Sequence, residues 1–164
     1  MAAVVYLRIL DNDKVFVSLL AAKTKVAPVK TSTPRLELCA ALLLVKLAAA
    51  VQRAFHLENQ PAHLWSDSSV ALSWICSSPH LWQVFVANRT AEIARFMPSA
   101  SWHHIDGEIN PADAPSRGIP TSELTSSHLW WHSPEFLREN PNIHFKVFSS
   151  TGFSSCVIEL LMSL

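Results

Sequence analysis

Charge is scarce in this chain of 164 residues. Only 16% of them are charged, against about 25% in an average globular protein. The 13 basic side chains are balanced by 13 acidic ones. A formal net charge of zero supplies no global field for drawing in nucleic acid, so any such binding has to rest on a local patch. Cysteine is scarce too. Cys39, Cys76 and Cys156 are far apart and odd in number, and no CxxC pair occurs, which argues against a zinc ribbon or finger. An isolated cysteine in apolar surroundings reads as a small buried hydrophobe. Unpaired thiols suit a reducing, intracellular setting, here read as cytoplasmic. No run of about 20 apolar residues is present, so nothing reads as a membrane span. The longest candidate, Leu36 to Phe55, is interrupted by Glu37, Lys46, Gln52 and Arg53. The N-terminus has no basic segment ahead of its apolar stretch, which argues against a signal peptide. No internal repeat is visible.

What remains is a chain of one-domain length, 49% hydrophobic, with enough apolar material for a real core. Ala2 to Leu10 is β-branched and aromatic and reads as a strand. A turn cluster, Asp11-Asn12-Asp13, separates it from a second strand over Val15 to Ala22, so the pair predicts a hairpin. After a loop with Pro28 and Pro34, a Leu- and Ala-rich helix of about 20 residues is expected. Its N-cap reads as Thr33, with Pro34 at the first helical position. A short strand over Ala62 to Asp67, a helix over Ser69 to Cys76 and an amphipathic helix over Val84 to Arg95 follow. Ala100 to Ile105 reads as the last strand. Asn110 to Gly118 is a loop or short turn broken by two prolines, and Trp130 to Arg138 suggests one short packed segment. Strands before and between helices give an α/β or α+β chain. The C-terminal Cys156 to Leu164 is too short to span a membrane and reads as a tail that is exposed or docked on a surface.

Three acids each sit at the end of an element. Glu37 falls in the first turn of the long helix, Asp67 at a strand end, and Asp113 after the strand at 100–105. Each also has a structural explanation: Glu37 suits the positive end of the helix dipole, Asp67 could cap the next helix, and Asp113 could be a turn acid. One detail weighs against the first of these. With Thr33 as N-cap, a capping box needs its acid at position 36, which is Leu36. Glu37 also lies in an apolar run, where a carboxylate costs free energy unless something pairs with it.

Five motifs occur in order: Pro34-Arg-Leu-Glu-Leu38 with its Ala/Leu-rich helix; Trp65-Ser-Asp-Ser-Ser69 with Ala-Leu-Ser-Trp74; Phe85-Val-Ala-Asn-Arg89; Trp102-His-His-Ile105; and Asn110-Pro-Ala-Asp113 with Ser116-Arg-Gly118. Together they resemble the ribonuclease H-like domain of Bel/Pao-type retrotransposon polyproteins. Trp130 to Leu137 is similar to a segment found after that domain. The region is often catalogued with the Pao retrotransposon peptidase, yet no Asp-Thr/Ser-Gly protease motif is present. The resemblance implies an RNase H-like mixed sheet flanked by helices over 1–118, an extension over 119–148 and a divergent tail over 149–164. It further implies Mg²⁺- or Mn²⁺-dependent cleavage of the RNA strand of an RNA–DNA hybrid. Glu37, Asp67 and Asp113 are the implied metal ligands, His104 an assisting histidine, and the reverse transcriptase portion of a polyprotein a partner. Clustered hard oxygens are what such ions require.

The family also places a first catalytic Asp on the first, central strand, just ahead of Ala2 to Leu10. This chain begins at Met1, where that motif has already ended, and Asp11 and Asp13 lie at the far hairpin turn. The expectation is therefore a sheet lacking its central strand, which closes up, splits or takes a strand from another chain, with weak or absent hydrolysis. Two other readings stand beside the nuclease: a non-catalytic module that binds nucleic acid or protein, and a degenerate fragment without function. Trp65, Trp74, Trp82, Trp102, Trp130 and Trp131 could stack on bases, but core packing explains them as well.

Overall fold

Five strands form one mixed sheet in the computed structural model, which describes residues 1–12, 14–139 and 156–163. β1 (Ala2–Asp11) and β2 (Lys14–Thr24) make the expected antiparallel hairpin, with Asn12 in the left-handed region (φ 47) at its turn. β3 (Ala62–Ser66) and β4 (Ser101–His104) run parallel to each other. The fifth strand, β5 (Cys156–Ser163), is the C-terminal segment. The spatial order is β2-β1-β5-β3-β4.

That order corrects three expectations. The strand at 101–104 is not the last, the C-terminal segment is not a surface tail, and no gap separates the hairpin from the strand that leads to Asp67. β5 fills the central slot, antiparallel to β1 from Ala2↔Ser163 to Ile9↔Cys156 and parallel to β3 from Ala62↔Ile158 to Ser66↔Met162. The sheet neither closes up nor splits, and the strand comes from this chain. Unpaired strand edges are costly when buried, and a near-continuous apolar run suits a strand covered on both faces. Leu160, Leu161 and Met162 are all at most 1% exposed. Each such side chain contributes roughly 1.5–3 kcal/mol of burial free energy.

Helices cover both faces. α1 (Thr33–Ala54), α2 (Ser69–Ile75) and α3 (Val84–Phe96) pack on one, around a core that includes Val5, Leu38, Ala41, Leu44, Ala48, Leu64, Ile93 and Leu160. The N-cap of α1 is Ser32, one residue earlier than expected, and the first turn holds no acid. Glu37 therefore lies beyond the first turn, where the dipole explanation for it weakens. Across the sheet lie α4 (Asp113–Arg117), α5 (Thr121–Ser126), α6 (His128–His132) and α7 (Phe136–Glu139). Here Val4, Tyr6, Ile105, Ala112, Trp130, Leu137 and Leu161 form the second core. The Tyr6 hydroxyl donates to Trp130 O at 2.7 Å and Arg8 Nε to Leu137 O at 2.8 Å, tying this layer to β1. Trp130 is core, as packing predicts, while Trp131 is exposed. The cysteine expectation is corrected in part: Cys39 is half-buried and Cys76 exposed, and the Cys156 side chain lies outside the described ones. Among the described residues, no helix is long and apolar enough to cross a membrane.

Candidate active site

β3 and β5 run parallel and end together, so Asp67 and Ser163 follow one step beyond the pair Ser66↔Met162. A crevice at the carboxyl ends of parallel strands is where α/β folds place their ligands. Asp67 Oδ2 accepts from Ser163 Oγ at 2.9 Å and from Asn110 Nδ2 at 3.3 Å. Asn110 is 1% exposed; its Nδ2 also donates to Met162 O at 2.7 Å and its Oδ1 accepts from Ala112 N at 3.1 Å. That amide staples the loop before α4 onto β5. Asp113 opens α4, and its Oδ1 accepts from Arg117 Nε at 3.0 Å and from Ser163 Oγ at 3.5 Å.

Glu37 reaches the same region from α1. Its Oε2 accepts from Ser68 Oγ at 2.5 Å, and that hydroxyl in turn accepts from Ala71 N at 3.1 Å as the N-cap of α2. Ser68, not Asp67, caps that helix, so Asp67 is left for other work. The three acids thus converge from different layers: α1 on one face, the end of β3, and α4 on the other face. A serine from the central strand sits between two of them. His104, the last residue of β4, is exposed and pairs with Ser66, at the same end of the sheet. His103 is a packing residue: its ring lies 4.6 Å from that of Trp65, and its Nε2 is 3.1 Å from His63 Nδ1.

Hard carboxylate oxygens are the donors a divalent cation such as Mg²⁺ selects, and two carboxylates are as many as it commonly takes from a protein. Each acid has one oxygen engaged and, among the described residues, no hydrogen bond to the other. The donor chemistry fits such an ion. The spacing is looser than the chemistry, because no three acidic, histidine or cysteine side chains are grouped as metal ligands among the described residues. Ser163, Ser68 and Asn110 were missed as site residues by sequence reasoning. Asn110 had a signal, standing three residues before Asp113, whereas Ser163 becomes visible only once β5 is known to be central.

Beside this site, β5 carries a buried acid. Glu159 is fully buried, accepts from Trp65 Nε1 at 2.8 Å through Oε2, and has no partner for Oε1 among the described residues. Burial pushes its carboxyl up to about 7, against the pull of the Trp65 hydrogen bond and the Arg8 charge. Across the strand pairings it faces Tyr6 and His63. Burial, with the charges of His103 and Arg8, pushes His63 down to about 4, while burial pushes the Tyr6 phenol up.

Residues 1–68 match the family model described as the Pao retrotransposon-like RNaseH-like domain. The matched segment holds Glu37 and Asp67; Asp113, His104 and Ser163 lie beyond it. No curated protein and no solved structure matches the chain.

Proposed function

We propose, from the match of residues 1–68 to the Pao retrotransposon-like RNaseH-like domain, a cation-dependent nuclease site that acts on the RNA strand of RNA–DNA hybrids. The observation that carries this reading is that Asp67 and Asp113 share the Ser163 hydroxyl at the ends of β3 and β5, while Glu37 accepts from Ser68, the residue after Asp67. Asp67 and Asp113 are the residues to hold Mg²⁺ or Mn²⁺, with Glu37 beside them. Bound there, such ions would supply an activated water and neutralise charge on the leaving oxygen. Asn110 and Ser163 orient Asp67, Arg117 orients Asp113, and Ser68 fixes Glu37, so each acid is held before substrate arrives. His104, exposed at the end of β4, is placed to move a proton at the rim. The reverse transcriptase portion of a retroelement polyprotein is the partner this reading implies.

Hydrolysis is expected to be weak. The strand in the central position brings a hydroxyl, not a carboxylate, against Asp67, which leaves less negative charge to hold a second ion. That same observation favours a second reading, in which hybrid is bound without being cut. Incubating RNA-labelled hybrid with Mg²⁺ or Mn²⁺ separates the two. Slow cleavage that is lost in Asp67→Asn supports the nuclease. Salt-dependent binding with no cleavage supports the binding module, and neither cleavage nor binding leaves a fragment without function.

A further inference from the structure

We propose that Arg35 and Arg89, clamped on the ring of Phe85, form an anchor for the phosphodiester backbone of a polynucleotide. The inference deepens the nucleic-acid reading above and rests on it. Arg35 projects from the start of α1, while Phe85 and Arg89 stand one turn apart on α3, which packs against α1. The Arg89 guanidinium carbon lies 3.4 Å from the Phe85 ring centroid and that of Arg35 lies 4.9 Å from it. Measured from a single centroid, the two charges are separated by no more than about 8 Å, the screening length at physiological salt.

Two like charges held that close repel, and among the described residues neither guanidinium has a carboxylate within ion-pair distance. Glu92, the acid of α3, pairs with Lys46 Nζ at 2.7 Å and feels the Arg89 charge only from beyond ion-pair distance. Arg89 is half-buried and spends one donor on Phe85 O at 3.0 Å, which leaves most of its five N–H groups without a hydrogen bond among the described residues. The ring fixes both cations by cation–π attraction, so little side-chain freedom is left to lose when an anion arrives. A planar guanidinium matches phosphate oxygens two at a time. In a chain of zero net charge this is a local patch of the kind that nucleic-acid binding requires.

Its position agrees with the acid site. Arg35 and Glu37 are two residues apart on α1 and so leave opposite flanks of the helix. A helix with side chains is about 10 Å across, equal to about three nucleotides of axial rise at 3.4 Å each. A backbone lying over the acids can therefore reach the arginine pair a few nucleotides away.

Fluorescence anisotropy of a labelled RNA–DNA hybrid, titrated with the full chain in the absence of divalent cations, tests this. The double variant Arg35→Ala/Arg89→Ala is expected to bind at least tenfold more weakly at about 0.1 M salt. Its slope of log affinity against log salt should be shallower by nearly two, one for each lost phosphate contact. Arg35→Lys/Arg89→Lys, which keeps charge but loses the planar fork, should fall between the two. Unchanged affinity and slope in the alanine variant overturn the anchor, as does a wild-type chain that binds no hybrid. Equally effective displacement by polyglutamate of matched charge overturns the polynucleotide assignment. A chain that binds through both arginines yet cleaves nothing keeps the anchor and discards the nuclease reading.

Discussion

Replacing Glu159 by glutamine should make the protein less sensitive to alkali. The carboxyl is fully buried in the middle of the sheet, and its value rises from the ordinary 4.5 to about 7. Between those limits the folded chain holds a proton that the unfolded chain has released, so stability falls as pH rises. Its contribution is fully present below about 4.5 and lost by the time pH has passed 7. A shift of about 2.5 units corresponds to about 3 kcal/mol, or roughly 6–12 °C in Tm for a chain of this size. His63, depressed to about 4, works in the opposite sense, its unfolded form taking up protons first between 6.5 and 4. Only the difference between wild type and Glu159→Gln isolates the acid. Glutamine keeps an acceptor for Trp65 but brings an amide group with no evident partner, which adds a constant offset of about 1–3 kcal/mol at every pH. Thermal melts of both proteins followed by circular dichroism from pH 4.5 to 8.5 give the comparison. The variant should gain on the wild type by about 3 kcal/mol across that range. A difference that stays flat with pH would refute the assignment of a raised carboxyl to the central strand.

Three further outcomes follow from the site. Ser68→Ala removes both the cap of α2 and the hydrogen bond to Glu37; a loss of about 1 kcal/mol, roughly 2–4 °C in Tm, is expected in a thermal melt. Ser163→Asp places a third carboxylate beside Asp67 and Asp113. Like-charge repulsion should lower its Tm in chelator, and Mn²⁺ at a hundred times its Kd should restore about 2.7 kcal/mol. A Tm for this variant that ignores Mn²⁺ would contradict the placement of Ser163. Asp67→Asn should abolish whatever cleavage of hybrid the wild type shows, measured on denaturing gels, while its melt in chelator stays within about 1 kcal/mol of the wild type.

Much of the fold was legible because its signals are local. The β-branched and aromatic content of Ala2 to Leu10, with the turn cluster Asp11-Asn12-Asp13 ahead of Val15 to Ala22, set the hairpin, and the Leu- and Ala-rich run after Pro34 set α1, with an error of one residue at its cap. What stayed hidden depends on contacts between distant segments. Val157 to Met162 is apolar at all but one position, a pattern shared by central strands and buried helix segments alike. Nothing local says that it inserts between β1 and β3. Glu37, Asp67 and Asp113 were singled out through the order of the motifs, not through any property of each taken singly. Ser163 carried no signal of its own, because its meaning comes from the parallel register with β3. The Arg35–Phe85–Arg89 stack was invisible for the same reason, since it joins the start of α1 to a turn of α3.

The most direct test of the account is a titration of the isotope-labelled chain with Mn²⁺, followed by amide line broadening. One shared site predicts that signals of Glu37, Asp67, Asp113 and Ser163 broaden together at one concentration, ahead of Asp11, Glu58 and Glu123. Broadening of those acids at separate concentrations, or first at acids elsewhere on the surface, would contradict it.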